Sequence, residues 1–144
     1  MNIVMTCDHA GFKLKEDIKA FLKERGYNVI DYGAVSTEPV DYPDYAEKAA
    51  KAILKKEADK GIFICGTGIG ISIAANRFKG IRAALCGDTF SAKMSRLHNN
   101  SNVLALGANV TALPKALDIV EEWLSLDFEG GRHERRINKL DEIG

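Results

Sequence analysis

Short apolar runs alternate with amphipathic stretches along the whole chain. The runs cover residues 3–7, 28–31, 62–65, 82–86 and 103–106. Three of them are nearly continuous in apolar residues, the pattern of parallel strands covered on both faces. Between the first two, Phe12, Leu14, Ile18, Phe21 and Leu22 keep helical spacing. Gly26 stands where the residue just past a helix end belongs. Pro43, after Asp41 and Tyr42, predicts a helix start, with Ala46, Ala49, Ala50, Ile53 and Leu54 along it. Residues 71–76 predict a short apolar helix. Leu113, Leu117, Val120 and Leu124 predict another behind Pro114. No repeat, low-complexity segment or linker interrupts the alternation. A strand–helix rhythm of this period predicts one α/β domain over residues 1–144 with a mostly parallel sheet.

Composition narrows the class. A chain of 144 residues buries roughly 68–70% of its unfolded surface, so it needs neither disulfides nor metal for a core. Lys and Arg number 20 against 20 Asp and Glu, and the pI is near 6.8. That balance argues against a nucleic-acid partner, which would demand a basic stripe. No apolar run reaches the ~18 residues of a membrane helix, and the start Met1-Asn2-Ile3-Val4 lacks the positive region of a signal peptide. Cys7, Cys65 and Cys86 are odd in number, far apart and without a C-x-x-C spacing. The expectation is a reduced, cytoplasmic protein.

Candidate chemistry gathers just past strand ends: Cys7-Asp8-His9, then Cys65-Gly66-Thr67-Gly68-Ile69-Gly70, then Gly87-Asp88, then Gly107. Open α/β sheets bind ligands in the crevice outside the carboxyl ends of their strands. The glycine loop misses the dinucleotide fingerprint G-x-G-x-x-G and has no G-K-[ST], so neither a Rossmann cofactor nor a P-loop fits. Its backbone N–H groups suit a phosphate or a developing oxyanion, while plain chain turning is the competing reading. Cys7 and Cys86 read as buried structural cysteines. Cys65 stands at a strand end facing a helix start, a setting that lowers a thiol pKa from about 8.5. The spacing of His9, His98 and His133 matches no zinc-ligand pattern. His98 closes an amphipathic helix, where it serves either the helix dipole or acid–base chemistry. Arg132 and Arg136 open a C-terminal helix one turn apart, with Arg136 on the stripe of Ile137, Leu140 and Ile143. They are either a solvated basic face or the seat of an anion such as phosphate.

Five motifs together resemble the ribose-5-phosphate isomerase B family, which includes galactose-6-phosphate isomerase subunits. They are Cys7-Asp8-His9-Ala10-Gly11-Phe12, Asp41-Tyr42-Pro43, Cys65 through Ser72, Ser95-Arg96-Leu97-His98-Asn99, and Gly130-Gly131-Arg132-His133. The resemblance implies a Rossmann-like three-layer α/β/α sandwich with a five-stranded parallel sheet, and no metal or organic cofactor. It also implies a homodimer or tetramer whose active sites use two subunits. Cys65 matches the base that moves a proton between C1 and C2, and His98 the residue that opens the sugar ring. The loop from Gly66 through Thr67, Gly68 and Ile69 to Gly70, with Asn99, resembles the cradle for the enediolate oxygens. Asp8 and His9 match substrate contacts, Tyr42 a pocket wall, and Arg132 and Arg136 a phosphate clamp. One departure is Asn109, where the family commonly has an arginine near the phosphate. The implied substrate is ribose 5-phosphate, with a six-carbon sugar phosphate, allose or galactose 6-phosphate, as the alternative. The intact set Cys65, His98 and Arg132 counts against a non-catalytic phosphate-binding module.

Overall fold

The apolar runs pair into one all-parallel sheet. In the computed structural model, which describes residues 1–144, the strands are β1 (Asn2–Cys7), β2 (Asn28–Asp31), β3 (Lys60–Cys65), β4 (Ala83–Leu85) and β5 (Val103–Gly107). Their order is β2-β1-β3-β5-β4, and every neighbouring pair is parallel. The helices are α1 (Phe12–Glu24), α2 (Tyr42–Leu54), α3 (Ile69–Ala75), α4 (Thr89–Leu97), α5 (Leu113–Leu124) and α6 (Arg132–Glu142). The central strands β1, β3 and β5 are buried almost throughout, which is why their sequences lack polar alternation. Edge strands β2 and β4 carry no fully buried residue.

Two cores lie on the two faces of the sheet. On one, Leu14, Ile18 and Leu22 of α1, Ala92 of α4 and Trp123 of α5 pack on Ile3, Ile62 and Leu104. On the other, Ala46, Ala49 and Ile53 of α2 and Ile71 and Ala75 of α3 pack on Val4, Phe63 and Cys65. This is the expected three-layer arrangement. The step from β1 to β2 goes one way with α1 on the first face, and that from β3 to β4 goes the other way with α3 on the second. A single crossover hand requires that switch of faces. The loops leaving β1 and β3 therefore diverge, and the crevice for a ligand opens between them.

Two features correct the expected element bounds. Helix α3 starts at Ile69 rather than residue 71, so Ile69 and Gly70 are helical and the glycine turn shrinks to residues 66–68. Gly68 sits at φ +80°, the left-handed region that favours glycine, and closes that turn. Helix α6 buries only His133 and Ile137. Leu140 and Ile143 are 50% and 74% exposed, and Arg136 is exposed with them. Of the apolar stripe only Ile137 is buried; its C-terminal part, with Arg136, is a bare flank.

Lys15 ties the loop after β2 to the body of the fold. It is buried, and its Nζ donates to Asp31 Oδ1 and to the Ala34 carbonyl, each at 3.0 Å. Lys15→Met should destabilise the protein by about 2 kcal/mol. That is less than the 3–5 typical of orphaning a fully buried charge, because Lys19 still bonds Asp31 at 2.8 Å. Urea unfolding gives the check: an unchanged midpoint would contradict this account.

Candidate active site

The crevice at the carboxyl ends of β1, β3 and β5 collects Asp8, His9, Tyr42, Cys65, the glycine turn and Asn109. Cys65 ends β3 opposite Gly107 of β5. Its Sγ accepts a hydrogen bond from the Gly68 N–H at 3.2 Å. The other two thiols lie in different surroundings. Burial pushes the Cys7 thiol up to about 11, and burial likewise raises that of Cys86. Both therefore stay protonated at neutral pH, and Cys65 alone has its sulfur at the glycine turn.

Close backbone packing shapes the turn. A Cβ on Gly107 would collide with the Thr67 carbonyl, so β5 and the turn touch only because glycine is there. Thr67 Oγ1 accepts from the Ile69 N–H at 3.2 Å, and Ser72 Oγ donates to the Ile69 carbonyl at 2.8 Å. The Tyr42 ring abuts Gly70, where a Cβ would stand 2.7 Å from Tyr42 Cζ. Asn109 lies beside Gly66: its N–H donates to the Gly66 carbonyl at 2.9 Å, and its side chain is exposed.

Asp8 and His9 enter from β1. Asp8 is buried, and its Oδ1 accepts from the Gly11 N–H at 3.1 Å. His9 Nδ1 accepts from the Val40 N–H at 3.1 Å. That bond leaves the ring proton of neutral His9 on Nε2, available to a ligand. Sequence reading missed the Val40 contact, since the loop holding it has no pattern of its own.

The remaining expected residues sit elsewhere. Helix α4 starts just past the carboxyl end of β4 and runs back on the opposite face from Cys65, so its C-cap His98 reaches the amino ends of the strands. There Asn102 bonds Arg82 ahead of β4 and its carbonyl accepts from Gly61 of β3. The five residues of β5 alone put roughly 16 Å between this pole and the crevice. Within one chain, then, His98, Asn99, Arg132 and Arg136 do not meet Cys65. They form a second group of their own.

A buried network anchors the chain just after His98. Arg96 Nε donates to the Leu126 carbonyl at 3.2 Å, and its Nη1 donates to Asn100 Oδ1 at 3.0 Å and to the Ser101 carbonyl. Trp123 Nε1 donates to Ser101 Oγ at 2.8 Å, and Ser95 Oγ bonds the same hydroxyl at 2.9 Å. Asn100 and Ser101, which follow His98 and Asn99, are therefore anchored, and Asn100 is held at φ +46°. The imidazoles of His98 and His133 stack with centroids 4.1 Å apart and planes inclined by 12°. Glu129 Oε1 lies 4.0 Å from His98 Nε2 and 3.7 Å from His133 Nε2. The histidine spacing gives no ligand pattern, yet two of the three meet here, brought together by tertiary packing.

The two groups are complementary. One offers a thiol, a buried carboxylate and backbone N–H donors; the other offers an imidazole, an amide and two guanidinium groups. A large cavity of about 700 Å³ lies away from both, between Phe21, Arg25, Phe90, Lys93 and Glu121.

Known proteins resemble this chain over nearly its whole length. Residues 3–140 match the family described as Ribose/Galactose Isomerase. Ribose-5-phosphate isomerase B of Escherichia coli is 52% identical over 98% of this chain and 95% of its own. The structure of Clostridium thermocellum ribose-5-phosphate isomerase B superposes with a TM-score of 0.99 at 55% identity, over 99% of this chain and 97% of that one. Ribose-5-phosphate isomerase B of Mycoplasma genitalium, solved with bound ribulose-5-phosphate, gives 0.94 at 41% identity, over 98% and 94%. With the fold, the glycine turn and full-length similarity in agreement, this chain belongs to the ribose/galactose isomerase family.

Proposed function

We propose that this chain interconverts ribose 5-phosphate and ribulose 5-phosphate through an enediolate, in sites built from two copies of the chain. The observation that carries the shared site is the separation of Cys65 and His98 to opposite poles and faces of one sheet. Two copies related by a two-fold axis bring the pole of one to the crevice of the other, and do so twice. The bare flank of α6, with Arg136 and Leu140 exposed and Ile143 exposed just past its end, supplies surface for that docking.

The chemistry runs in two stages. Ring opening takes the proton from the C1 hydroxyl; its electron pair forms the carbonyl, the bond from C1 to the ring oxygen breaks, and that oxygen gains a proton. His98 of the second copy mediates this exchange. The Cys65 thiolate then removes the C2 proton and leaves negative charge on the C1 oxygen. The same thiol returns the proton to C1, while the proton of the C2 hydroxyl passes to the C1 oxygen. In the loop from Gly66 to Gly70, the backbone N–H groups other than those of Gly68 and Ile69, which bond Cys65 Sγ and Thr67 Oγ1, hold the enediolate oxygens together with Thr67 and with Asn99 of the second copy. Each such donor contributes about 10²–10³ in rate. Asp8 and His9 bind substrate hydroxyls, and Tyr42 walls the pocket. Arg132 and Arg136 of the second copy clamp the phosphate, whose binding energy orients the reacting carbons. None of these steps calls for a metal or an organic cofactor.

The direct test is kcat/KM for ribose 5-phosphate beside allose 6-phosphate and galactose 6-phosphate. A clear preference for the five-carbon sugar is expected. A preference for either six-carbon sugar would favour the second reading, which rests on the neutral Asn109 at the crevice rim.

That position makes its own prediction. If Asn109 stands beside the phosphate, Asn109→Arg adds a charge-assisted hydrogen bond and lowers KM for ribose 5-phosphate by about tenfold. An unchanged or raised KM would remove Asn109 from the phosphate site.

A further inference from the structure

His133 Nε2 is a buried side-chain polar atom without a hydrogen-bond partner. The His133 side chain is only 9% exposed, and the carboxylate facing it stops 3.7 Å short. A buried polar atom left unpaired costs stability, and an apolar residue of the same size avoids that cost. Something other than packing keeps an imidazole there. Its flat face lies parallel against the ring of His98 at 4.1 Å, while the 39% exposed edge of His98 is open to a ligand.

We infer that His133 is a positioning residue for ring opening: its ring fixes the plane of the His98 imidazole, with Glu129 facing the edges of both. The inference rests on His98 being the ring-opening group. Two rings that stack so closely repel if both are charged, so the arrangement needs at least one of them neutral. Burial, then His98, Arg132 and Arg136, press His133 toward its neutral form against the pull of Glu129. Glu129 is itself anchored, for its N–H donates to the Leu97 carbonyl at 3.2 Å. The end of α4, the segment carrying Glu129 and the first turn of α6 thus lock one imidazole from three sides.

Two substitutions separate positioning from packing. His133→Leu fills the slot without a flat face; His133→Phe keeps a flat ring without the polar nitrogen. Two reactions are measured on each variant: turnover of ribose 5-phosphate, which must open, and solvent-deuterium exchange into ribulose 5-phosphate, which cannot close a furanose ring. For His133→Leu, kcat on ribose 5-phosphate should fall roughly ten- to hundredfold, as expected when a reacting group is misplaced by about 1 Å. KM and exchange should stay within about threefold, and thermal stability should hold or rise, because the orphaned nitrogen is gone. His133→Phe should restore ribose 5-phosphate turnover to within about threefold of the parent.

Wild-type turnover in His133→Leu would overturn the inference. So would equal losses in both reactions, a fall in stability with a proportionate loss of activity, or damage in His133→Phe as deep as in His133→Leu. Failure of the underlying function looks different. In that case the parent protein turns over no ribose 5-phosphate, or His98→Ala abolishes exchange as fully as turnover.

Discussion

Cys65→Ala should lower kcat for ribose 5-phosphate by roughly a thousandfold, about 4 kcal/mol, the scale for losing a positioned base. KM should change little, because the proton is in motion only in the transition state. The fold should survive at a modest cost in stability, since the removed sulfur accepts one hydrogen bond, from the buried Gly68 N–H. Cys7→Ala and Cys86→Ala supply the contrast. Both thiols are raised by burial and lie in the core of the other sheet face. Those variants should lose some stability and keep most turnover. Solvent exchange into ribulose 5-phosphate isolates the step in question, and Cys65→Ala should abolish it. Turnover near that of the parent would remove Cys65 from the chemistry altogether.

The sheet was legible in the sequence because its central strands are buried on both sides. Residues such as Ile62-Phe63-Ile64-Cys65 have no polar neighbour to confuse the period. Gly26 and Pro43 marked helix boundaries for equally local reasons: the first takes φ +84°, the second sits in the first turn of α2. The start of α3 was misplaced because Gly70 reads as turn. In the fold it is helical, and its missing side chain makes room for Tyr42. Helical phase placed Arg136 correctly beside Leu140 and Ile143. Phase says nothing of which flank meets the body of its own chain, and here that flank is His133 and Ile137.

The candidate site divides in the same way. Asp8, His9 and the glycine turn follow strand ends, so their clustering is a consequence of a parallel sheet with one carboxyl edge. Nothing local reveals that Glu129 and His133 close on His98, because tertiary packing of α6 against the end of α4 brings them together. Nor does any motif show that His98 and Cys65 are kept apart. That separation follows from α4 running antiparallel to the strands on the face away from α2 and α3.

A one-chain site and a two-chain site differ most sharply when two damaged proteins are mixed. Cys65→Ala and His98→Ala should each be nearly inactive alone, because every site in either homodimer carries one lesion. In a mixed dimer, one site holds both lesions and the other holds neither. With random pairing, half the dimers are mixed and one of their two sites is intact. Recovered activity should then approach roughly a quarter of the parent's. The measurement is ribose 5-phosphate turnover of co-expressed subunits, after mass spectrometry of the intact dimers has confirmed mixed pairs. The account predicts activity that rises with the mixed fraction. Confirmed mixed dimers that stay as inactive as the two homodimers would contradict a site assembled from both chains.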